Sequence, residues 1–366
     1  MSIPSEIMTR KQRWTDFLEN RYCPRHLFII NCDQDQQIRP RLWPDCSSER
    51  VDWAWTRYVR TREQMLWLED DALPYLDMLT GTEIFAEAFG CPVYRPLDSN
   101  PFALPLVHNA REASRIKPVD LLSSTLTRLF ESADHLRDRA GDGALFRLVD
   151  IQSPMDIVAL IWDKNDLYIA LLEEPEAVRE LASLVYRLLT DFLDTWFSRY
   201  GSDFIAHYPD YYMPQGISVS EDEVGVISPA MFDQFFLPEL DALSNRYGGI
   251  GLHCCADAVH QWDRFLTIPG LRLINLCQPS SVTISSWSYF ADAAVQWPGW
   301  GGDGRPWKWP ERYPPGSRMV LSVTASSRNE AIELSKRLNE TCRRSSLIET
   351  SHNDPEQICV SDSQNQ

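Results

Sequence analysis

Apolar positions along this chain alternate between helical and strand spacing. Trp14, Phe17 and Leu18 fall on one face of a predicted helix over 9–18, and the run Leu27-Phe28-Ile29-Ile30 predicts a buried strand over 26–31. A helix follows over 51–67. From residue 118 the order becomes regular: helix 119–137, strand 145–150, a long amphipathic helix 175–200, strand 203–207, a helix from 228 to about 247, strand 250–253, helix 259–266, strands 271–276 and 318–323, and a last helix 328–343. Ser228-Pro229 is a helix-start signature, because the serine oxygen can accept a first-turn N–H and proline lacks one to orphan. The stretch 73–118, interrupted by Pro74, Pro92, Pro96, Pro101, Pro105 and Pro118, reads as long loops at one end of a scaffold.

Strands alternating with helices imply parallel strands joined by right-handed crossovers. No Gly-x-Gly-x-x-Gly follows an early strand, so a dinucleotide-binding sheet lacks its main signal. The expected fold is a (β/α)8 barrel with N-terminal helical and loop decorations. It forms one domain over 1–345, followed by a polar tail over 346–366. Barrel chemistry sits at the C-terminal strand ends. Those ends would carry Asn31, Asp33, Asp150, His207, His253, Cys255 and Cys277, with the last strand ending near Thr324.

Charge narrows the partners. A net charge of −17 disfavours nucleic acid and anionic membrane surfaces. No signal pattern opens the chain and no apolar run is long enough to span a bilayer, so the expectation is a cytoplasmic protein acting on a small molecule. Nine cysteines, an odd number without framework spacing, fit a reducing compartment.

Candidate chemistry centres on His253-Cys254-Cys255. Period-two alternation puts His253 and Cys255 on one face of a strand end and sends Cys254 to the core. Imidazole and thiolate together make half of a zinc site. The alternative is buried packing, since free cysteine is a common core residue. His207 with Tyr208, Asp210, Tyr211 and Tyr212 forms either a polar, aromatic wall around a substrate or a surface loop. Trp297, Trp300, Trp307 and Trp309 lie among glycines, either closing over a flat ligand or packing on the barrel flank; Trp300 and Arg305 are the cofactor-binding candidates there.

Several stretches, in order, resemble the uroporphyrinogen decarboxylase superfamily: Gly81-Thr82-Glu83-Ile84-Phe85-Ala86-Glu87-Ala88-Phe89-Gly90, Ser153-Pro154-Met155-Asp156, and above all Ile227-Ser228-Pro229-Ala230-Met231-Phe232, followed by His253-Cys254-Cys255. The resemblance implies a (β/α)8 barrel and one of two chemistries. One branch decarboxylates uroporphyrinogen without a cofactor, using an Arg-rich N-terminal segment that this chain lacks. The other uses zinc to move methyl groups between a corrinoid protein and a thiol. It takes a third ligand, a cysteine, from the last barrel strand, which here reads Met319-Val320-Leu321-Ser322-Val323-Thr324. Cys277, or an acid from Glu221-Asp222-Glu223, is left to complete the set. The family also places an acid of this region in its site, which makes Glu221 and Asp222 candidate ligands or proton donors beside His207.

The expectation is therefore a zinc methyltransferase with metal ligands His253, Cys255 and Cys277. A methylated corrinoid would be carried by a separate protein, and the resemblance implies a homodimer. The alternatives are a metal-independent decarboxylase or lyase of a small carboxylate, and a non-catalytic partner subunit.

Overall fold

The computed structural model describes residues 3–32, 38–299 and 301–343. In chain order its strands are β1 (Leu27–Cys32), β2 (Tyr75–Leu76), β3 (Val93–Tyr94), β4 (Phe102–Ala103), β5 (Leu145–Phe146), β6 (Phe204–Ile205), β7 (Tyr212–Met213), β8 (Ile217–Ser220), β9 (Ile250–Cys254), β10 (Leu271–Leu276), β11 (Val295–Gln296) and β12 (Arg318–Ala325). Six of them form one parallel sheet in the order β1-β12-β11-β10-β9-β8.

Shorter contacts carry the circuit round. β2 pairs in parallel with β5, Arg147 bridges Ile205, and Gln152 bridges Ser220. Across the remaining gap the Asp71 N–H donates to the Phe28 carbonyl at 2.9 Å. The architecture is the expected barrel of the TIM type.

The seam between β1 and β2 relies on carboxylates more than on backbone. Asp71 also accepts the Phe28 N–H at 2.9 Å, and Asp70 accepts the Ile30 N–H at 3.0 Å. Asp71 is held by Arg13 and Arg25 at 2.5 and 2.7 Å, and Asp70 by Arg10 at 2.6 Å. Arg10 is 1% exposed, and its other N–H groups reach the Leu68 and Ala72 carbonyls. A buried guanidinium is tolerable here because carboxylates and carbonyls surround it. The N-terminal helix, Ile3–Leu18, therefore closes the barrel as well as decorating it.

The long helix Pro175–Tyr200 matches its predicted limits. It buries Val178, Leu181, Val185, Leu188, Leu189, Phe192 and Trp196 along one stripe. Ser228 caps its helix as expected, accepting the Met231 N–H at 3.3 Å. Beyond that cap, Phe232–Phe236 is π-helical before the α-helix Leu237–Tyr247.

One expectation is corrected and two elements are added. The 73–118 stretch is more than decoration, since Tyr75 and Leu76 are a barrel stave. Helix Ser280–Tyr289 and strand β11 were unrecognised. The helix buries only Thr283, Ser286 and Trp287, so it shows almost no apolar period, and a two-residue strand leaves none. Because β11 intervenes, the strand before Cys277 does not adjoin the last strand; it adjoins β9. No helix among the described residues is long and apolar enough to cross a membrane.

Candidate functional site

β9 and β10 run parallel with His253 opposite Asn275 and Cys254 opposite Leu276. The next peptide extends the ladder, with Cys277 N–H donating to the Cys254 carbonyl at 3.0 Å. That register brings Cys277 beside Cys255. The donor atoms of His253, Cys255 and Cys277 all lie within 4.8 Å of one another, and no other such group of three occurs among the described residues. Cys254 points the other way and is fully buried.

The His253 ring is oriented from behind. Its Nδ1 meets Asn275 Oδ1 at 2.5 Å, and Asn275 is itself fixed because its amide nitrogen donates to the Trp297 carbonyl at 2.5 Å. The Asn275 oxygen can therefore only accept, so Nδ1 carries the proton and the Nε2 lone pair is free. Nε2 lies 3.0 Å from Cys255 Sγ. Gly251, two residues back on the same face, leaves room for the Tyr211 hydroxyl, which would lie 1.7 Å from a Cβ there. Tyr211 bonds Ser218 at 2.9 Å and fills the barrel beneath the histidine.

Hydrogen bonding with Cys255 draws the Cys277 thiol down to about 6, against the opposing effect of burial, and the same contact pushes Cys255 upward. The two thiols therefore titrate as one unit. A tetrahedral zinc ion needs donors roughly 3.4–3.8 Å apart, given bonds of about 2.0–2.3 Å. One imidazole nitrogen and two thiol sulfurs are a donor set that suits zinc, and their spacing, 3.0 Å between Nε2 and Cys255 Sγ and all within 4.8 Å, would need a small adjustment around the ion. With three protein donors, one position is left open.

Asp222 stands against this group without joining it: its Oδ1 accepts the Cys255 N–H at 2.5 Å. Glu221 is fully buried behind the strand, where its backbone N–H reaches the His253 carbonyl at 2.9 Å. Its carboxyl group lies against Asp156 and Ser153. Burial, followed by the neighbouring Asp156, raises Glu221 well above the ordinary range, so the two acids hold a proton between them. Glu223 pairs with Lys164 and Tyr168. Asp156, part of one of the stretches that resemble the family but given no role from sequence, accepts the Asp222 and Glu223 N–H groups at 2.7 and 3.0 Å and so holds this loop.

Tyr208 joins the three donors to a neighbouring cavity. Its ring packs edge-on against His253 at 4.7 Å, and its hydroxyl lies 3.9 Å from Cys277 Sγ. The cavity, about 450 Å3, opens at the C-terminal strand ends between Asn31, Cys32, Trp53, Arg57, Tyr208 and Trp297. Two of its charged lining residues, Arg57 and Asp210, belong to an ion-pair network with Arg147 and Asp77 behind them. Arg147 bonds Asp77 and Asp210 at 2.8 Å each, while Arg57 bonds Asp77 at 3.0 Å and packs on Trp53 and Tyr75. His207 meets Asp150 at 3.1 Å. Of the expected tyrosine wall, Tyr211 and Tyr212 are buried and only Tyr208 lines the cavity.

The tryptophan stretch divides. Trp297 lines the cavity, whereas Trp307 and Trp309 pack on the core beside β1 and β12. Arg305 is exposed with its guanidinium over Trp307 and is not among the cavity-lining residues, and Trp300 lies outside the described residues.

The uroporphyrinogen decarboxylase (URO-D) family profile matches residues 70–276. This chain belongs to the uroporphyrinogen decarboxylase family. A solved methyltransferase from Methanosarcina mazei shares the fold with a TM-score of 0.62 at 12% identity, covering 91% of this chain and 97% of that one. No curated protein matches the sequence significantly.

Proposed function

We propose that this chain is a zinc-dependent methyltransferase of the family, moving a methyl group between a methylated corrinoid on a separate protein and a thiol acceptor. The observation that carries the reading is the convergence of His253 Nε2, Cys255 Sγ and Cys277 Sγ, with Nδ1 tied to Asn275. These three residues would hold the ion. Zinc there would bind the acceptor thiol and favour its thiolate form at neutral pH.

The surrounding residues have definable tasks. Asn275 keeps the imidazole in its metal-binding tautomer, and Asp222 fixes the Cys255 peptide. Tyr208 stands between the donors and the cavity and touches both, so the rest of the acceptor would lie along it. His207, held by Asp150 and one residue from Tyr208, is the candidate base on this side of the site. The fold shared with the archaeal methyltransferase supports the reading. So does the state of Arg57 and Arg147: both are paired with Asp77 and Asp210, whereas a decarboxylase of a polycarboxylate needs guanidinium groups ready for substrate. Cys277 on the strand next to β9, in place of a cysteine on the last strand, supports a complete donor set over a non-catalytic subunit.

Metal analysis of protein purified without chelator tests the proposal. About one equivalent of zinc is expected, lost in His253→Ala and in Cys277→Ser. Less than about a tenth of an equivalent, unchanged in His253→Ala, would overturn it.

A further inference from the structure

Cys255 and Cys277 stand on adjacent strand ends, and the last ladder bond between them, Cys277 N–H to the Cys254 carbonyl, stops one residue short of Cys255. Cys255 lies one residue beyond β9 and is exposed. Its N–H is taken by Asp222. Its carbonyl accepts from Gln278 Nε2 at 2.5 Å, and the same amide nitrogen donates to the Ala256 carbonyl. Gln278 is the covalent neighbour of Cys277. One side chain attached to the second cysteine's strand therefore grips two successive carbonyls at the first cysteine.

We propose that Gln278 is a positioning residue that sets the Cys255–Cys277 separation, and with it the affinity and size selectivity of the metal centre. The inference rests on the zinc reading above. The chemistry of the side chain suits the task. Both amide hydrogens find carbonyl acceptors, and no charge is added beside two thiols. Glutamate at the same length would set a carboxylate against two carbonyl oxygens. Asparagine would be a methylene short. The base of the side chain is also fixed: the Gln278 carbonyl accepts from Thr283 Oγ1 at 3.0 Å, and Thr283 is fully buried.

The test uses Gln278→Met, which keeps length and removes both donors, with Gln278→Glu as a second variant. Each chelator-stripped protein is titrated with zinc, and separately with the larger cadmium ion, against a chromophoric competitor; metal-free melting is recorded alongside. Wild type is expected to bind one ion. Gln278→Met is expected to bind one ion with zinc weakened about tenfold or more. Cadmium should weaken less, because its longer bonds to sulfur tolerate a wider pair, and the melting of the metal-free protein should hardly move. A purely structural role would lower melting without changing the zinc-to-cadmium ratio, and would overturn the proposal. Zinc affinity within about twofold of wild type in both variants would overturn it as well. A wild type that binds no zinc refutes the parent reading itself, which distinguishes the two failures.

Discussion

Replacing Asn275 by leucine tests the second layer of the proposed centre. The substitution keeps the branched outline but adds bulk at a position 1% exposed, so overpacking adds to its cost in stability. It removes the acceptor for His253 Nδ1 and the donor to the Trp297 carbonyl. Each group left buried without a partner costs about 1–3 kcal/mol, so the fold should lose about 2–6 kcal/mol. The imidazole also loses its tautomer preference and can rotate. Removing such a partner typically weakens a metal site by about 10–100-fold, or about 1.4–2.7 kcal/mol of binding. Urea unfolding of the metal-free protein measures the first effect, and zinc competition measures the second. If Asn275→Leu bound zinc within about twofold of wild type, Asn275 would not be orienting the ring and the assigned tautomer would be wrong.

Two further outcomes concern the scaffold. Burial alone would push Asp77 up, but Arg147 and Arg57 outweigh it and hold the carboxyl down to about 2. A folded value below the unfolded one stabilises above the unfolded value of about 3.9, and that contribution disappears as pH falls toward 2. Asp77→Asn should therefore remove roughly 2 kcal/mol of the acid-side slope in denaturation measured from pH 5 to 2; an unchanged slope would contradict the pairing. Ser228→Ala removes the cap of the Met231 N–H and should cost about 1 kcal/mol in urea unfolding with no change in zinc content; a cost near zero would show that water replaces the cap.

The sequence carried some of this site openly and hid the rest. His253 and Cys255 were legible because a strand alternates with period two, which also sent Cys254 inward. Cys277 was legible only as the end of an apolar run. That it meets Cys255 depends on the β9–β10 register, which no local pattern encodes. Asn275 looked like one polar residue in Leu273-Ile274-Asn275-Leu276, and its task exists only opposite His253. Asp156 likewise reads as an ordinary first-turn acid until the loop it holds is in place. The stave at Tyr75–Leu76 was missed for a different reason: two residues carry no period, and Asp70 and Asp71 take over part of the hydrogen bonding that a longer strand would supply.

The two parts of the site draw on very different spans of chain. His253, Cys255 and Cys277 sit on consecutive strands. The cavity beside them needs Ile29 to Cys32 from β1 together with Ser322 from β12, partners from nearly opposite ends of the polypeptide. Bringing distant segments together costs more chain entropy than pairing neighbours. The half that carries the three donors is thus built from neighbouring strands, whereas the pocket is finished only when the last strand arrives. A chain truncated before β12 would keep its thiols in register yet have no chamber in which to use them.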